Sequence, residues 1–171
     1  MSDRHDVPPE SPYALLDEDE TRAWYAYMKV QLRLRYEMNR QLRDDTGLSL
    51  ADYDVLVALT SAPGGTMTVS DLAIRIGAER SRVSHHVRRL VSDQFVTSRT
   101  NPEDRRVTDV ALSPAGRDLL ARAGPAHVDF VRRVFLDAIA PEERAIVASA
   151  FENVYERLIV HGTLPRPSDH P

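Results

Sequence analysis

The chain has 171 residues, is 42% hydrophobic, carries a net charge of −4 and contains no cysteine, which allows one domain's worth of chain with a substantial core. Without cysteine, structural disulfides, thiolate metal sites and thiol redox switches are excluded. No apolar run approaches the ~20 residues that a membrane-spanning helix needs, and the N-terminus lacks a signal-peptide pattern, so a cytoplasmic protein with no membrane partner is expected.

Residues 1–16, rich in proline and poor in apolar side chains, read as a flexible arm. A long first helix follows the acidic run Asp17–Glu20 and closes with Arg40 and Arg43 ahead of Gly47, charges placed to suit its dipole. Trp24, Met28, Met38 and Leu42 share one stripe of it, with Tyr27 and Leu34 beside them. Ser49, with Asp52 three residues on, caps a second helix that ends at Pro63-Gly64-Gly65. Thr68 and Asp71 repeat that spacing before a short third helix, Val69 to Ile76, and a fourth runs from Arg80 to Asp93. From Phe95 to Ser113 β-branched residues flank a turn at Asn101–Asp104, which predicts a two-stranded hairpin. Ser113-Pro114 opens a fifth helix, with a kink expected at Gly124-Pro125, and Pro141-Glu142-Glu143 opens a sixth that reaches Val160. Residues 161–171 read as a flexible tail.

The informative stretch lies in the middle. Ala73, Gly77 and Val83, separated by four and six residues, supply the small residue, the turn glycine and the apolar contact that a helix-turn-helix requires. On the fourth helix Val83, Val87, Leu90 and Val91 recur at helical spacing and are expected in the core. The other face presents Ser81, Arg82, Ser84, His85, Arg88 and Arg89, with no acid between Arg80 and Ser92. Hydroxyl, imidazole and guanidinium donors of this kind reach base edges and phosphates in a major groove. His86 sits at the border, where packing is favoured over DNA contact. The turn ends in Asp104-Arg105-Arg106, a charged ribbon tip that can place arginine in a minor groove, with Asp104 holding Arg106 and ordering the tip. From Ser70 to Arg106 eight arginines stand against five acids, so an acidic protein carries a localised positive surface.

The run Asp104-Arg105-Arg106-Val107-Thr108-Asp109-Val110-Ala111-Leu112-Ser113, followed by Pro114-Ala115-Gly116, resembles the wing signature of the MarR family. There an Asp and an Arg two apart are separated by five residues from Leu-Thr and a helix start. Val69-Ser70-Asp71-Leu72-Ala73 and Ser81-Arg82-Val83-Ser84 resemble the family's helix-turn-helix, and the order of elements is similar from about Asp17 to Val160. Ser113 replaces threonine and keeps the capping hydroxyl. Gln94 stands where the family places a glycine, and in a left-handed conformation it costs roughly 1 kcal/mol.

The resemblance implies a mainly α fold with a small β-hairpin wing: a winged helix-turn-helix over 49–113, flanked by dimerisation helices over 17–48 and 114–160. It implies a homodimer that binds double-stranded DNA at a pseudo-palindromic operator, a repressor, with Ser70, Arg80, Ser81, Arg82, Ser84, His85, Arg88, Arg89, Arg105 and Arg106 at the DNA. Phe130, Val134, Phe135, Ile139, Ile146, Val147, Phe151, Val154, Tyr155 and Leu158 are the interface candidates; the alternative is that they close a monomeric core. It also implies release by a small aromatic or anionic effector, for which Trp24, Tyr27, Met28, Gln31, Arg35 and Tyr53, with His127, are the candidate lining. Arg35 lies seven residues from both Met28 and Leu42 on the apolar stripe, so it needs an anion, from the partner chain or from a ligand. No paired nucleophile and base, phosphate loop or metal-ligand cluster is seen, so no enzyme, cofactor or metal is expected. A winged-helix module that binds protein without specific DNA binding is the alternative function.

Overall fold

The computed structural model describes residues 7–168; residues 1–6 of the arm and 169–171 of the tail lie outside it. Helix α1, Glu18–Thr46, is capped by Asp17, whose carboxylate accepts from the Glu20 amide at 2.8 Å while Glu20 accepts from the Asp17 amide at 3.0 Å. The acidic run thus forms the first turn rather than preceding the helix. Gly47, at φ 76°, ends it in the left-handed conformation. The arm is not featureless before this point: Ser11 caps a 3-10 turn, Pro12–Leu15, and Tyr13 packs on Trp24 and Tyr25 at ring separations of 6.2 and 5.7 Å.

Helix α2, Leu50–Thr60, starts on the Ser49 and Asp52 capping box. After the Gly64-Gly65 turn come strand β1, Thr66–Thr68, helix α3, Val69–Arg75, and helix α4, Arg80–Ser92. Gly77 adopts φ 63°, and the Ala78 amide closes back on the Ala73 carbonyl at 2.9 Å, a left-handed helix stop that ends α3 before α4 begins. Strands β2, Val96–Thr100, and β3, Thr108–Leu112, form the expected hairpin. β1 adds to it, giving antiparallel order β1-β3-β2 with Met67 opposite Val110 and Val96 opposite Leu112. This third strand was not expected.

The core lies between α2, α3, α4 and the sheet, where Val55, Leu56, Leu59, Leu72, Val83, Leu90 and Val110 are sealed from solvent. Each such side chain contributes about 1.5–3 kcal/mol of hydrophobic stabilisation. Val91, expected in that core, is partly exposed on the far side of α4; the inward arc of the helix is filled by Val83, Val87 and Leu90.

Helix α5, Pro114–Val134, continues through Pro125, and a 3-10 turn at Leu136–Ala138 separates it from α6, Arg144–His161. Residues 141–143 form a turn before α6, so that helix starts later than the Pro-Glu-Glu signal suggests. The tail folds back far enough for Arg166 to pair with Glu156. No helix among the described residues is long and apolar enough to cross a membrane.

The joint between α4, the wing and α5 is tight. Gln94 is the only non-glycine residue among those described with positive φ, at 63°. The Phe95 amide closes on the Leu90 carbonyl at 2.9 Å, and Ser113 Oγ donates to the Gln94 carbonyl at 2.6 Å. A Cβ on Gly116 would stand 2.1 Å from the Phe95 carbonyl oxygen, so only glycine fits. Two substitutions here have opposite signs in urea unfolding. Gly116→Ala lowers stability by about 1–3 kcal/mol through overpacking, whereas Gln94→Gly raises it by about 1 kcal/mol by removing left-handed strain. An unchanged midpoint for Gly116→Ala contradicts the close approach.

Candidate nucleic-acid interface

Helix α4 carries three kinds of side chain around its circumference. Val83, Val87 and Leu90 point into the core, and Ser81, Arg82, His85 and Arg88 are exposed. On one flank, Arg80 Nε donates to Ser70 Oγ at 3.2 Å, bringing two of the expected contacts together at the start of α3 and α4. Ser84 donates to the Arg80 carbonyl at 2.9 Å and lines a cleft of about 280 Å³ with Val69, Arg88, Val91, Ser98 and Thr108. This cleft separates α4 from the wing strands.

The other flank packs on α2 and holds what the sequence did not disclose. Asp52, with 0% exposure, accepts from the Ser49 amide at 3.0 Å and from the Ser49 hydroxyl. It also sits 2.8 Å from His86 Nδ1 and forms an ion pair with Arg89. A carboxylate can only accept, so His86 donates through Nδ1. Arg89, expected at the DNA face, has its guanidinium committed to Asp52 and within 3.3 Å of Ser49 Oγ. His86 takes the packing role, with 15% of its side chain exposed. Burial and then the Arg82 guanidinium push its imidazole below the ordinary value, opposed by Asp54, so it is neutral at pH 7. The visible signal for Asp52 was its capping position alone; His86 and Arg89 lie 34 and 37 residues away in sequence.

The wing tip is ordered from within. Asn101 Oδ1 accepts from the Glu103 and Asp104 amides at 2.8 and 3.2 Å, and Asp104 accepts from the Arg106 amide at 2.9 Å. Asp104 therefore shapes the tip through the backbone of Arg106. Below it, the buried Asp109 takes Asn101 Nδ2 at 2.9 Å and faces Arg99 across the strands at 3.6 Å. Arg105 and Arg106 stand exposed at the apex.

The residues considered for an effector do not share one space. Trp24 and Tyr27 stack on each other at 5.7 Å near the start of α1, beside Tyr13. Met28 and Gln31 are half-buried further along. Tyr53 instead packs on His127 at 4.8 Å, and His127 Nδ1 meets Gln41 Oε1 at 2.8 Å, about 26 Å along the helix from Trp24 at 1.5 Å per residue. Burial lowers the His127 pKa. Within the chain, Arg35 Nη2 lies 3.9 Å from Asp54 Oδ2 with most of its side chain exposed. Burial raises the Asp54 pKa, with Arg35 and His86 opposing.

The profile of the MarR family matches residues 46–107. Sco3205, a MarR family transcriptional regulator from Streptomyces coelicolor solved in complex with DNA, is 31% identical with a TM-score of 0.82. The match covers 88% of this chain and 97% of that one. The HTH-type transcriptional repressor YetL of Bacillus subtilis is 22% identical over 148 residues, 86% of this chain and 87% of that protein. The uncharacterized HTH-type transcriptional regulator YdgJ of the same bacterium is 28% identical over 102 residues, 60% of this chain and 61% of YdgJ's length.

A histidine with a lowered folded-state pKa supports stability above its unfolded value, near 6.5, and loses that support as pH falls. Thermal unfolding at about pH 7.5 and about pH 5.5 therefore shows a larger loss for the wild type than for His86→Gln, with His127 contributing equally to both. Equal losses exclude His86 as the titrating group.

Proposed function

The chain belongs to the MarR family of transcriptional regulators, which are not enzymes, and from that premise we propose a homodimeric repressor that binds a pseudo-palindromic DNA operator. The observation that carries the reading is the cationic surface on α4 and the wing tip. Arg82, His85 and Arg88 are exposed on one continuous helix face, and Arg105 and Arg106 are exposed on a tip held in shape by Asn101 and Asp104. The first set suits base edges and phosphates of a major groove, the second the adjacent minor groove. Ser70, Arg80, Ser81 and Ser84 lie on the same side of the lobe and serve as positioning contacts to phosphate.

Dimerisation is supported by α6. None of its residues is buried within the chain, and Ile146 and Leu158 are 71% and 62% exposed, with Phe151, Val154 and Val160 also open. A helix this apolar needs a cover, and a second copy supplies it with the exposed parts of α1 and α5. Two lobes then read half-sites about 10 base pairs apart. A small aromatic or anionic effector belongs to the same reading, with Tyr53, His127 and Arg35 at the α1, α2 and α5 junction as its contacts.

The test is a gel shift against the intergenic DNA beside the protein's own gene, with competitor DNA. Binding that survives competitor is expected from the wild type. Arg106→Ala weakens binding across sequences and reduces the salt slope by about 1, whereas Arg88→Ala costs about 1–3 kcal/mol and relaxes base preference. A wild-type dimer that binds no DNA sinks the proposal; a monomer by light scattering sinks its dimeric part.

A further inference from the structure

Among the described residues two helices, α1 and α2, start on capping boxes and α3 on a one-sided cap, and the box of α2 is unlike the other two caps. Asp17 with Glu20 closes an exposed box, and at the half-buried start of α3 Thr68 Oγ1 accepts from the Asp71 amide at 3.0 Å and donates to its carboxylate at 2.7 Å. A cap needs no more than that. Asp52 is fully enclosed and gathers four donors: the Ser49 amide and hydroxyl, His86 Nδ1 and Arg89. Two of these come from α4, and they stand three residues apart on the flank opposite the wing cleft. A rotation of α4 about its own axis in either direction breaks one or both bonds and strands a buried anion.

The same contact removes a positive charge from the interface. Arg89 is 43% exposed, close enough to the cationic face to be counted with it from sequence, yet its guanidinium is neutralised by Asp52. The carboxylate Asp54 and the guanidinium Arg82 are the further charges that act on His86, and Arg35 of α1 faces Asp54 from the far side.

We infer that Asp52 is a positioning residue for the DNA-reading surface: it withholds the Arg89 guanidinium from phosphate and, through Arg89 and His86, sets the roll of α4. The inference rests on the DNA-binding reading above. It turns Ser81, His85 and Arg88 outward as a group, because all three are fixed to the one helix whose rotation Asp52 limits. Loss of the carboxylate frees Arg89, so indiscriminate attraction to DNA grows while the register of the reading face loosens.

The test uses fluorescence anisotropy of a random-sequence duplex of about 30 base pairs, titrated over a series of salt concentrations. Four proteins are compared: the wild type, Arg89→Gln, Asp52→Asn and the double variant. Each phosphate neutralised contributes about 0.9 to the slope of log affinity against log salt. Arg89→Gln is expected to leave the wild-type slope unchanged, Asp52→Asn to steepen it by about 0.9, and the double variant to restore it. Amide hydrogen exchange over residues 80–92, measured without DNA, is expected to accelerate in both single variants.

A slope that falls by about 0.9 in Arg89→Gln overturns the inference, since Arg89 then already contacts phosphate. Unchanged slope and exchange in Asp52→Asn overturn it too. Should Asp52→Asn fail to fold, the Arg89→Gln slope still decides. A wild type that binds no duplex at low salt defeats the DNA-binding reading instead, and the exchange measurement then decides whether Asp52 holds α4.

Discussion

The carboxylate of Asp52, enclosed between α2 and α4, must be neutralised where it stands, because an unpaired charge in that setting costs several kcal/mol. Everything that neutralises it comes from two places: the cap of its own helix and the outer flank of α4. The pairing therefore does what apolar contact alone does poorly. Val83, Val87 and Leu90 hold α4 against the core, but packed aliphatic side chains tolerate small rotations, whereas hydrogen bonds to one carboxylate are directional.

The remaining charges on α4 become intelligible from that arrangement. Of the donors expected at the interface, Arg89 is paired with Asp52, Arg80 leans on Ser70, and Arg82, His85 and Arg88 are left facing outward. The wing follows a similar economy: its acids Asp104 and Asp109 are each turned onto backbone or side-chain donors of the ribbon. A segment's net charge is thus a coarse guide to its surface; what matters is which charges the fold leaves uncancelled.

Local signals in the sequence were reliable because local chemistry decides them. Ser49 with Asp52 and Thr68 with Asp71 begin helices where their spacing says, and Gly77 turns where a left-handed residue is needed. Gln94 takes the glycine-like conformation that its position demands. What escaped depends on distance in the chain. β1 is three residues long, too short for an alternating pattern, and exists because β3 offers it an edge. The partners of Asp52 and Arg35 lie on other helices, and no spacing rule connects Asp52 to residue 86 or 89. Proline at position 141 signalled a helix start that the chain delays to Arg144, since residues 141–143 form a separate turn in which the Glu143 amide closes on the Ala140 carbonyl at 2.9 Å. Spacing could not fix the proximity of the candidate effector residues: a helical stripe collapses onto one face in projection, while along the axis Trp24 and Arg35 stand about 16.5 Å apart at 1.5 Å per residue.

The central strand β3 ends at Leu112 and α5 begins at Pro114, so Ser113 alone joins the reading lobe to a helix of 21 residues. With Gly116 pressed against the Phe95 carbonyl and the Ser113 hydroxyl on Gln94, that joint has no slack. In a pair of such chains the distance and twist between the two lobes are set by rigid helices rather than by a tether. One base pair inserted between half-sites turns the second by about 34–36° and shifts it by about 3.4 Å. A jointed protein absorbs such an offset by flexing; the proposed dimer would instead pass it on to the DNA as bending or untwisting, making spacer length part of the recognised sequence.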